Sequence, residues 1–137
     1  MTDFVLDCSV SMTWWFEDET DAYAERVLDY LDEASAIVPA IWPLEVANAL
    51  LVAERRNRIA PRDSDRVAEF IVTLRIHVDD ETHAHALGAT MALAREYALT
   101  AYDATYLELA MRLDLPLATA DKALAKAARA GGVPRFE

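Results

Sequence analysis

The residues of this chain that are best placed for chemistry are four carboxylates: Asp7, Glu45, Asp103 and Asp121. Asp7 ends an apolar run that predicts a buried strand, and each of the other three lies at or near the start of a predicted helix. In a parallel α/β sheet, the carboxyl ends of the strands and the starts of the following helices share one edge of the molecule. We therefore expect the four acids to converge on one crevice.

Four like charges in one crevice require compensation. Two unit charges about 4 Å apart repel by about 4 kcal/mol at an effective dielectric constant of about 20. No lysine or arginine adjoins Asp7, Glu45 or Asp103 in the sequence. Because carboxylate oxygens prefer hard cations, the set favours Mg2+ or Mn2+ over zinc.

Short apolar runs alternate with longer helical patterns along the chain. This alternation predicts one α/β domain over residues 1–137 with a mostly parallel sheet. The predicted strands are Val5–Leu6, Ala36–Val38, Ile76–Val78 and Leu117–Ala118, with a possible terminal strand in Val133–Phe136. The predicted helices are Ser11–Phe16, Asp21–Ala34, one opened by Pro43, one after Pro61, Thr82–Tyr97, Tyr102–Leu113 and Asp121–Ala130.

The composition narrows the functional classes. A net charge of −11 argues against non-specific electrostatic binding to nucleic acid. Bound cations would, however, change the sign of the charge locally. A single cysteine, Cys8, excludes an internal disulfide and fits a reducing compartment. The most apolar stretch, Ser35–Ala53, is interrupted by Pro39 and Pro43, which favours a strand–loop–helix over a membrane span. We expect a cytoplasmic protein without a membrane segment.

Taken alone, three of the acids have plainer structural explanations. Glu45 would offset the dipole of the helix that it begins. Thr100 and Asp103 have the spacing of a capping box, and Asp121 is a good N-cap. Asp7, at the end of a buried strand, is the hardest to explain in this way. The shared placement of all four favours the functional interpretation.

A second acidic group also follows a predicted strand and precedes a helix: Asp79, Asp80 and Glu81. The rule about the sheet edge does not exclude this group. Polar neighbours favour the first set, because Ser9, Asn48 and Thr119 lie within three residues of its acids. Their side chains could orient carboxylates or bound water.

Four segments of the chain resemble the motifs of a known family. They are Val5-Leu6-Asp7-Cys8-Ser9, Pro43-Leu44-Glu45-Val46-Ala47-Asn48-Ala49-Leu50, Ala101-Tyr102-Asp103-Ala104-Thr105-Tyr106-Leu107 and Leu117-Ala118-Thr119-Ala120-Asp121. In order and spacing they resemble PIN domains, and most of all VapC-type toxin ribonucleases of toxin–antitoxin systems. The resemblance spans nearly the whole chain.

The resemblance implies a three-layer α/β/α sandwich and an endoribonuclease that depends on Mg2+ or Mn2+. It also implies an RNA substrate, a homodimer and a cognate VapB-type antitoxin that occupies the cleft. Carried over by motif, the metal-site acids are Asp7, Glu45, Asp103 and Asp121, supported by Asn48 and Thr119. Two positions depart from the family pattern: Cys8 replaces a small hydroxyl residue, and Ala98 replaces a frequent glycine.

The remaining reactive and aromatic residues are interpreted more simply. The histidines His77, His83 and His85 are read as structural or solvated, and Cys8 as a packed residue rather than a nucleophile. Three adjacent aromatic residues, Trp14–Phe16, cannot all face one core from one helix, so we expect at least one to be exposed for partner contact.

Two basic clusters are candidates for phosphate contact: Arg55, Arg56 and Arg58, and Lys122, Lys126 and Arg129. Favourable charge near a helix end and an ordinary solvated face are the alternatives for these clusters. Two other functional classes stay open. One is a catalytically silent PIN-like interaction module, and the other is an acidic, cation-dependent signalling domain.

Overall fold

The computed structural model describes residues 2–16, 18–19 and 21–137. Its strands are β1 (Phe4–Leu6), β2 (Ala36–Val38), β3 (Ile76–Val78) and β4 (Leu117–Ala118). They form a parallel sheet in the order β3–β2–β1–β4. The strand that leads to Asp7 is therefore flanked on both sides.

Helices cover both faces of this sheet. The α-helices are α1 (Cys8–Ser11), α2 (Ala22–Tyr30), α3 (Trp42–Arg55), α4 (Pro61–Val72), α5 (Thr82–His85), α6 (Met91–Tyr97), α7 (Ala101–Leu113) and α8 (Lys122–Ala130). Successive side chains of a strand point to opposite faces of the sheet. Since all three residues of β1 are 0% exposed, both faces are buried there. This arrangement is the predicted three-layer α/β/α sandwich.

Two predicted helices differ from the observed ones. The predicted helix over Ser11–Phe16 is wrong, because α1 starts directly after Asp7 and gives way to a 3₁₀ turn at Met12–Trp14. The predicted helix over Thr82–Tyr97 is interrupted by a π-helix, Ala86–Thr90, which joins α5 to α6. Hydrophobic periodicity indicates helix but does not distinguish these hydrogen-bonding patterns.

The residues after α8 extend the sheet by less than a full strand. Arg135 forms an isolated parallel bridge with Leu117, in place of the predicted strand over Val133–Phe136. Phe136 stacks on Phe4 with ring centroids 4.1 Å apart, and the Tyr23 hydroxyl donates to the carbonyl of Phe136. These contacts fix the end of the chain against the core beside β1.

A buried ion-pair network joins α7 to the turn after β3. Arg112 donates to Asp79 Oδ2 at 2.7 Å and to Glu108 Oε2 at 2.8 Å, and both carboxylate side chains are less than 10% exposed. Burial raises the pKa of Asp79, but hydrogen bonds from Arg112 and Thr82 outweigh it and leave that pKa below its ordinary value. Hydrogen bonds to Glu108 and Asp79 hold the pKa of Arg112 above its ordinary value. The network fixes the orientation of α7, which carries Asp103.

None of the helices in the described ranges is both long and apolar enough to cross a membrane.

Candidate metal centre

Asp7 lies directly after β1 and is only 5% exposed. Its backbone N–H donates to the carbonyl of Ala118 in β4 at 2.9 Å, so the neighbouring strand fixes its position. Its Oδ2 accepts hydrogen bonds from Ser9 Oγ at 2.6 Å and from Thr119 Oγ1 at 2.7 Å. No donor within the described ranges is paired with Oδ1, so this oxygen is available to a ligand.

The two hydroxyls that bind Asp7 are themselves oriented by the backbone. The N–H of Ala120 donates to Ser9 Oγ at 2.9 Å, and the N–H of Asp121 donates to Thr119 Oγ1 at 3.0 Å. Each hydroxyl thus accepts from the backbone and has its single hydrogen left to donate. The turn after β4 therefore directs two donors at one oxygen of Asp7.

Glu45 lies in the first turn of α3 and is partly buried. Its Oε1 accepts a hydrogen bond from the hydroxyl of Tyr106, a completely buried residue of α7. This contact is not predicted from the sequence, in which Tyr106 lies among apolar residues of its helix. The available signal was its position three residues after Asp103, which puts both residues on one side of α7.

Asp103 and Asp121 both lie at the starts of helices. Thr100 caps α7, since its Oγ1 accepts from the N–H of Asp103 at 3.1 Å. Asp121 is the N-cap of α8, and its Oδ1 accepts from the N–H of Leu124 at 3.0 Å. The predicted N-cap of α8 is therefore confirmed, and in the described residues Thr100 makes only one half of the predicted capping box. These caps engage the backbone of Asp103 and one oxygen of Asp121, which leaves the other oxygen of Asp121 for a ligand.

The four carboxylates influence one another electrostatically. Burial raises the pKa of Asp7, and the charges of Asp103 and Asp121 raise it further, against the hydrogen bonds from Ser9 and Thr119. Burial also raises the pKa of Glu45, to which Asp7 and Asp103 contribute. The pKa of Asp103 is raised by burial and by Asp121. The charges of Asp103 and Asp121 thus oppose that of Asp7, and those of Asp7 and Asp103 oppose that of Glu45, which supports the predicted convergence.

The donor set suits a hard divalent cation. In the part of the chain that the structure describes, none of the four acids forms an ion pair with lysine, arginine or histidine. Partly buried carboxylates without basic partners are expected to lose charge or bind a cation. Oxygen ligands of this kind fit Mg2+ or Mn2+. Asp7, Asp103, Glu45 and Asp121 are the residues that would hold the ion.

One acid of the competing group, Asp79, is already bound by other side chains of the protein. Oxygens of Asp79, Asp80 and Glu81 lie within 4.8 Å of one another, and the four predicted acids do not form so tight a group. However, Asp79 already accepts hydrogen bonds from Arg112 and from Thr82 Oγ1. Its charge is therefore neutralised by the protein, and the other two acids are exposed.

Two neighbours of the acids behave differently from each other. Asn48 is exposed, and within the described ranges its side chain makes no hydrogen bond, so its supporting role stays a prediction. Cys8 is buried beside Asp7, as predicted for a packed residue. Burial and the charges of Glu45 and Asp7 raise the pKa of the Cys8 thiol to about 12. The thiol is therefore protonated at neutral pH and is a poor nucleophile.

The aromatic residues after α1 line a groove of about 700 Å³ with residues of α4 and the turn before it. Trp14 and Trp15 are both partly buried, and Phe16 is 7% exposed, so the expectation that at least one of the three is exposed is wrong. The physical reason is that the 3₁₀ turn and the bend after it direct these side chains differently from one regular helix. Trp14 Nε1 donates to the carbonyl of Ala24 at 2.8 Å.

One of the predicted phosphate-binding arginines is engaged elsewhere. Arg58 forms an ion pair with Asp18 at 3.0 Å, and its guanidinium lies over the ring of Phe16, 4.4 Å from the centroid. The other members of the two basic clusters are exposed: Arg55, Arg56, Lys122, Lys126 and Arg129. Their contact with phosphate stays a prediction.

Replacing Thr119 by valine is expected to lower the affinity for Mg2+ by about tenfold, because hydrogen bonds to a metal-binding carboxylate hold it in the orientation that binds the ion. The change removes one of the two donors to Asp7 and preserves the side-chain shape. Isothermal titration calorimetry measures the affinity. Thr82→Val is the matched control, since Thr82 Oγ1 also donates to a carboxylate, Asp79, and accepts from a backbone N–H, that of Ala40. Equal affinities in the two variants would contradict the prediction.

Comparisons with known proteins agree with this geometry. The family model of the PIN domain matches residues 4–130. Ribonuclease VapC3 of Pyrobaculum aerophilum is 29% identical over 126 residues, which cover 89% of this chain and 92% of that protein. The crystal structure of PAE2754 from Pyrobaculum aerophilum is similar in fold, with a TM-score of 0.63 at 21% identity over 92% of this chain and 86% of that chain. Since the family match includes all four acids and nearly the whole sequence, the chain belongs to the PIN-domain family.

Proposed function

We propose that this chain is an endoribonuclease that hydrolyses RNA phosphodiester bonds with the help of Mg2+ or Mn2+. The observation that carries the proposal is the set of four mutually repelling carboxylates without basic partners among the described residues. Helix capping engages only one oxygen of Asp121, so it does not account for the combined charge of the four acids, which a bound cation would balance. Sequence similarity to a ribonuclease supports the choice of RNA as the substrate.

In this mechanism, Asp7 and Asp103 are the direct ligands, and Glu45 and Asp121 complete the centre or act through water. When bound, Mg2+ or Mn2+ lowers the pKa of a water molecule and polarises the phosphoryl oxygen. Ser9 and Thr119 keep Asp7 in one orientation throughout, because both donate to its Oδ2. The protein's own contribution is thus a rigid set of oxygens near the end of β1.

The biological setting that we propose is the toxin of a toxin–antitoxin pair in the cytoplasm. Similarity to a VapC ribonuclease supports a cognate VapB-type antitoxin, and the family resemblance supports a homodimer. A net charge of −11 is consistent with a protein that binds RNA locally, through a cation and a few basic side chains.

Purified protein, freed of antitoxin, is expected to cut a pool of total RNA at discrete positions when Mg2+ or Mn2+ is present. EDTA should abolish the cleavage, because chelation leaves the carboxylates without their cation, and added Mn2+ should restore it. Sequencing of the new RNA ends measures the result and identifies the target. Folded protein that binds Mn2+ but leaves all RNA intact would favour a silent PIN-like module or a signalling domain.

A further inference from the structure

We propose that Tyr106 is a positioning residue that holds one oxygen of Glu45 and thereby presents the other oxygen to the cation. This inference rests on the proposed function, because it assigns a partner to one of the four metal-site acids. It adds a side chain from the core to a centre that the sequence motifs describe only by its acids and their small polar neighbours.

The contact joins two helices that are distant in sequence. Tyr106 is 0% exposed in the middle of α7, and its hydroxyl donates to Glu45 Oε1 near the start of α3, 61 residues earlier. Within the described ranges, Glu45 makes no other side-chain hydrogen bond and no ion pair. A glutamate has several rotatable bonds, and an unrestrained side chain loses freedom when it binds a ligand. Tyr106 is therefore the group that fixes this carboxylate in advance.

The choice of acceptor separates this tyrosine from an ordinary core tyrosine. The hydroxyl of Tyr23 is also buried, and it is satisfied by a backbone carbonyl, that of Phe136, at 2.5 Å. Tyr106 instead donates to a carboxylate whose charge is repelled by Asp7 and Asp103. A hydrogen bond to an ionised acceptor is roughly twice as strong as one between neutral groups. The core thus places a buried hydroxyl donor at an acid whose charge is opposed by its neighbours.

The same division of oxygens recurs at two other acids. Asp7 has Oδ2 held by Ser9 and Thr119, and Asp121 has Oδ1 held by the N–H of Leu124. In each case the second oxygen has no donor among the described residues. Glu45 follows this pattern only through Tyr106. In Asp7, Glu45 and Asp121, one oxygen of the carboxylate is thus held by the protein and the other is left for the ion.

Tyr106→Phe is the direct test, with Tyr23→Phe as the matched control, because each removes one buried hydroxyl and keeps the ring. Mn2+ affinity is measured by calorimetry, and RNA cleavage is measured against Mn2+ concentration. We expect Tyr106→Phe to weaken Mn2+ binding by about 10–100-fold. Its cleavage rate should recover substantially at saturating Mn2+. Tyr23→Phe should bind Mn2+ as the wild type does, even if it loses similar thermal stability.

A double-variant cycle shows whether Tyr106 acts through Glu45. Glu45→Gln removes the charge, so adding Tyr106→Phe to it should cost little further Mn2+ affinity. Independent losses that add in the double variant would overturn the inference, and so would wild-type affinity in Tyr106→Phe, while the proposed function would stand in both cases. A wild-type protein that neither binds Mn2+ nor cuts RNA would overturn the proposed function and this inference together.

Discussion

Asp7→Asn is expected to reduce metal-dependent RNA cleavage on the order of 10³-fold, as for the loss of one member of a catalytic set. At the same time, it should stabilise the metal-free protein. The asparagine keeps the size of the side chain and an oxygen that accepts from Ser9 and Thr119. It removes a charge that is buried and repelled by Asp103 and Asp121.

The sign of the stability change follows from the pKa of Asp7. Folding raises this pKa, so the folded state binds the proton more tightly than the unfolded chain does. The ionised form at neutral pH therefore opposes folding, and this cost falls as the pH drops through the folded pKa. Without metal at pH 7, Asp7→Asn should gain on the order of 1 kcal/mol, or a few degrees in Tm.

RNA cleavage assays measure the first part of the prediction for Asp7→Asn, and thermal unfolding with EDTA and with Mg2+ measures the second. Mg2+ should raise the Tm of the wild type and leave that of the variant nearly unchanged. Asp29→Asn makes the same isosteric change at an exposed position of α2 and should alter neither cleavage nor Tm. A variant that cuts RNA at the wild-type rate would remove Asp7 from the centre.

Arg112→Met is expected to destabilise the fold by about 3–5 kcal/mol, because it leaves two buried carboxylates without their cationic partner. Asp79 and Glu108 both accept hydrogen bonds from this guanidinium, and both side chains are less than 10% exposed. Urea unfolding at pH 7 measures the loss. Arg129→Met, at an exposed position of α8, should stay within about 0.5 kcal/mol of the wild type.

The effect of Arg112→Met should shrink in acid. The network lowers the pKa of Asp79, so its contribution is present above the unfolded pKa of about 3.9 and is lost as the pH falls through the folded value. In the variant, protonation relieves the penalty of the unpaired acids. The two unfolding curves should therefore approach each other below about pH 4. A constant difference between pH 7 and pH 3 would contradict the role given to the ion pair.

The parts of the fold that were predictable have local signals. β2 and β3 have the predicted bounds, because short apolar runs end at Pro39 and Asp79. Asp121 caps α8 as its position suggested. These features depend on residues within one or two turns of one another. Sequence spacing is sufficient for features of that range.

The parts that were missed depend on partners far along the chain. Asp79 competed with the chosen acids until the structure placed Arg112, 33 residues later, against it. The contact of Tyr106 with Glu45 was missed because an aromatic residue on an apolar helix face gives no sign of which group its hydroxyl contacts. Its partner lies 61 residues away in α3. A single sequence carries no record of such pairings, which form only when the sheet brings the helices together.

The order of the strands also determines when the surroundings of Asp7 are completed during synthesis of the chain. Thr119, which holds Asp7, lies 112 residues after it, and β4 is the last strand to join β1. At about 5–20 residues per second, roughly 6–22 s separate the synthesis of these two residues. Throughout that interval β1 lacks a neighbour on one edge. A ribonuclease assembled in this order would be inactive on its own ribosome until β4 and Thr119 have been made.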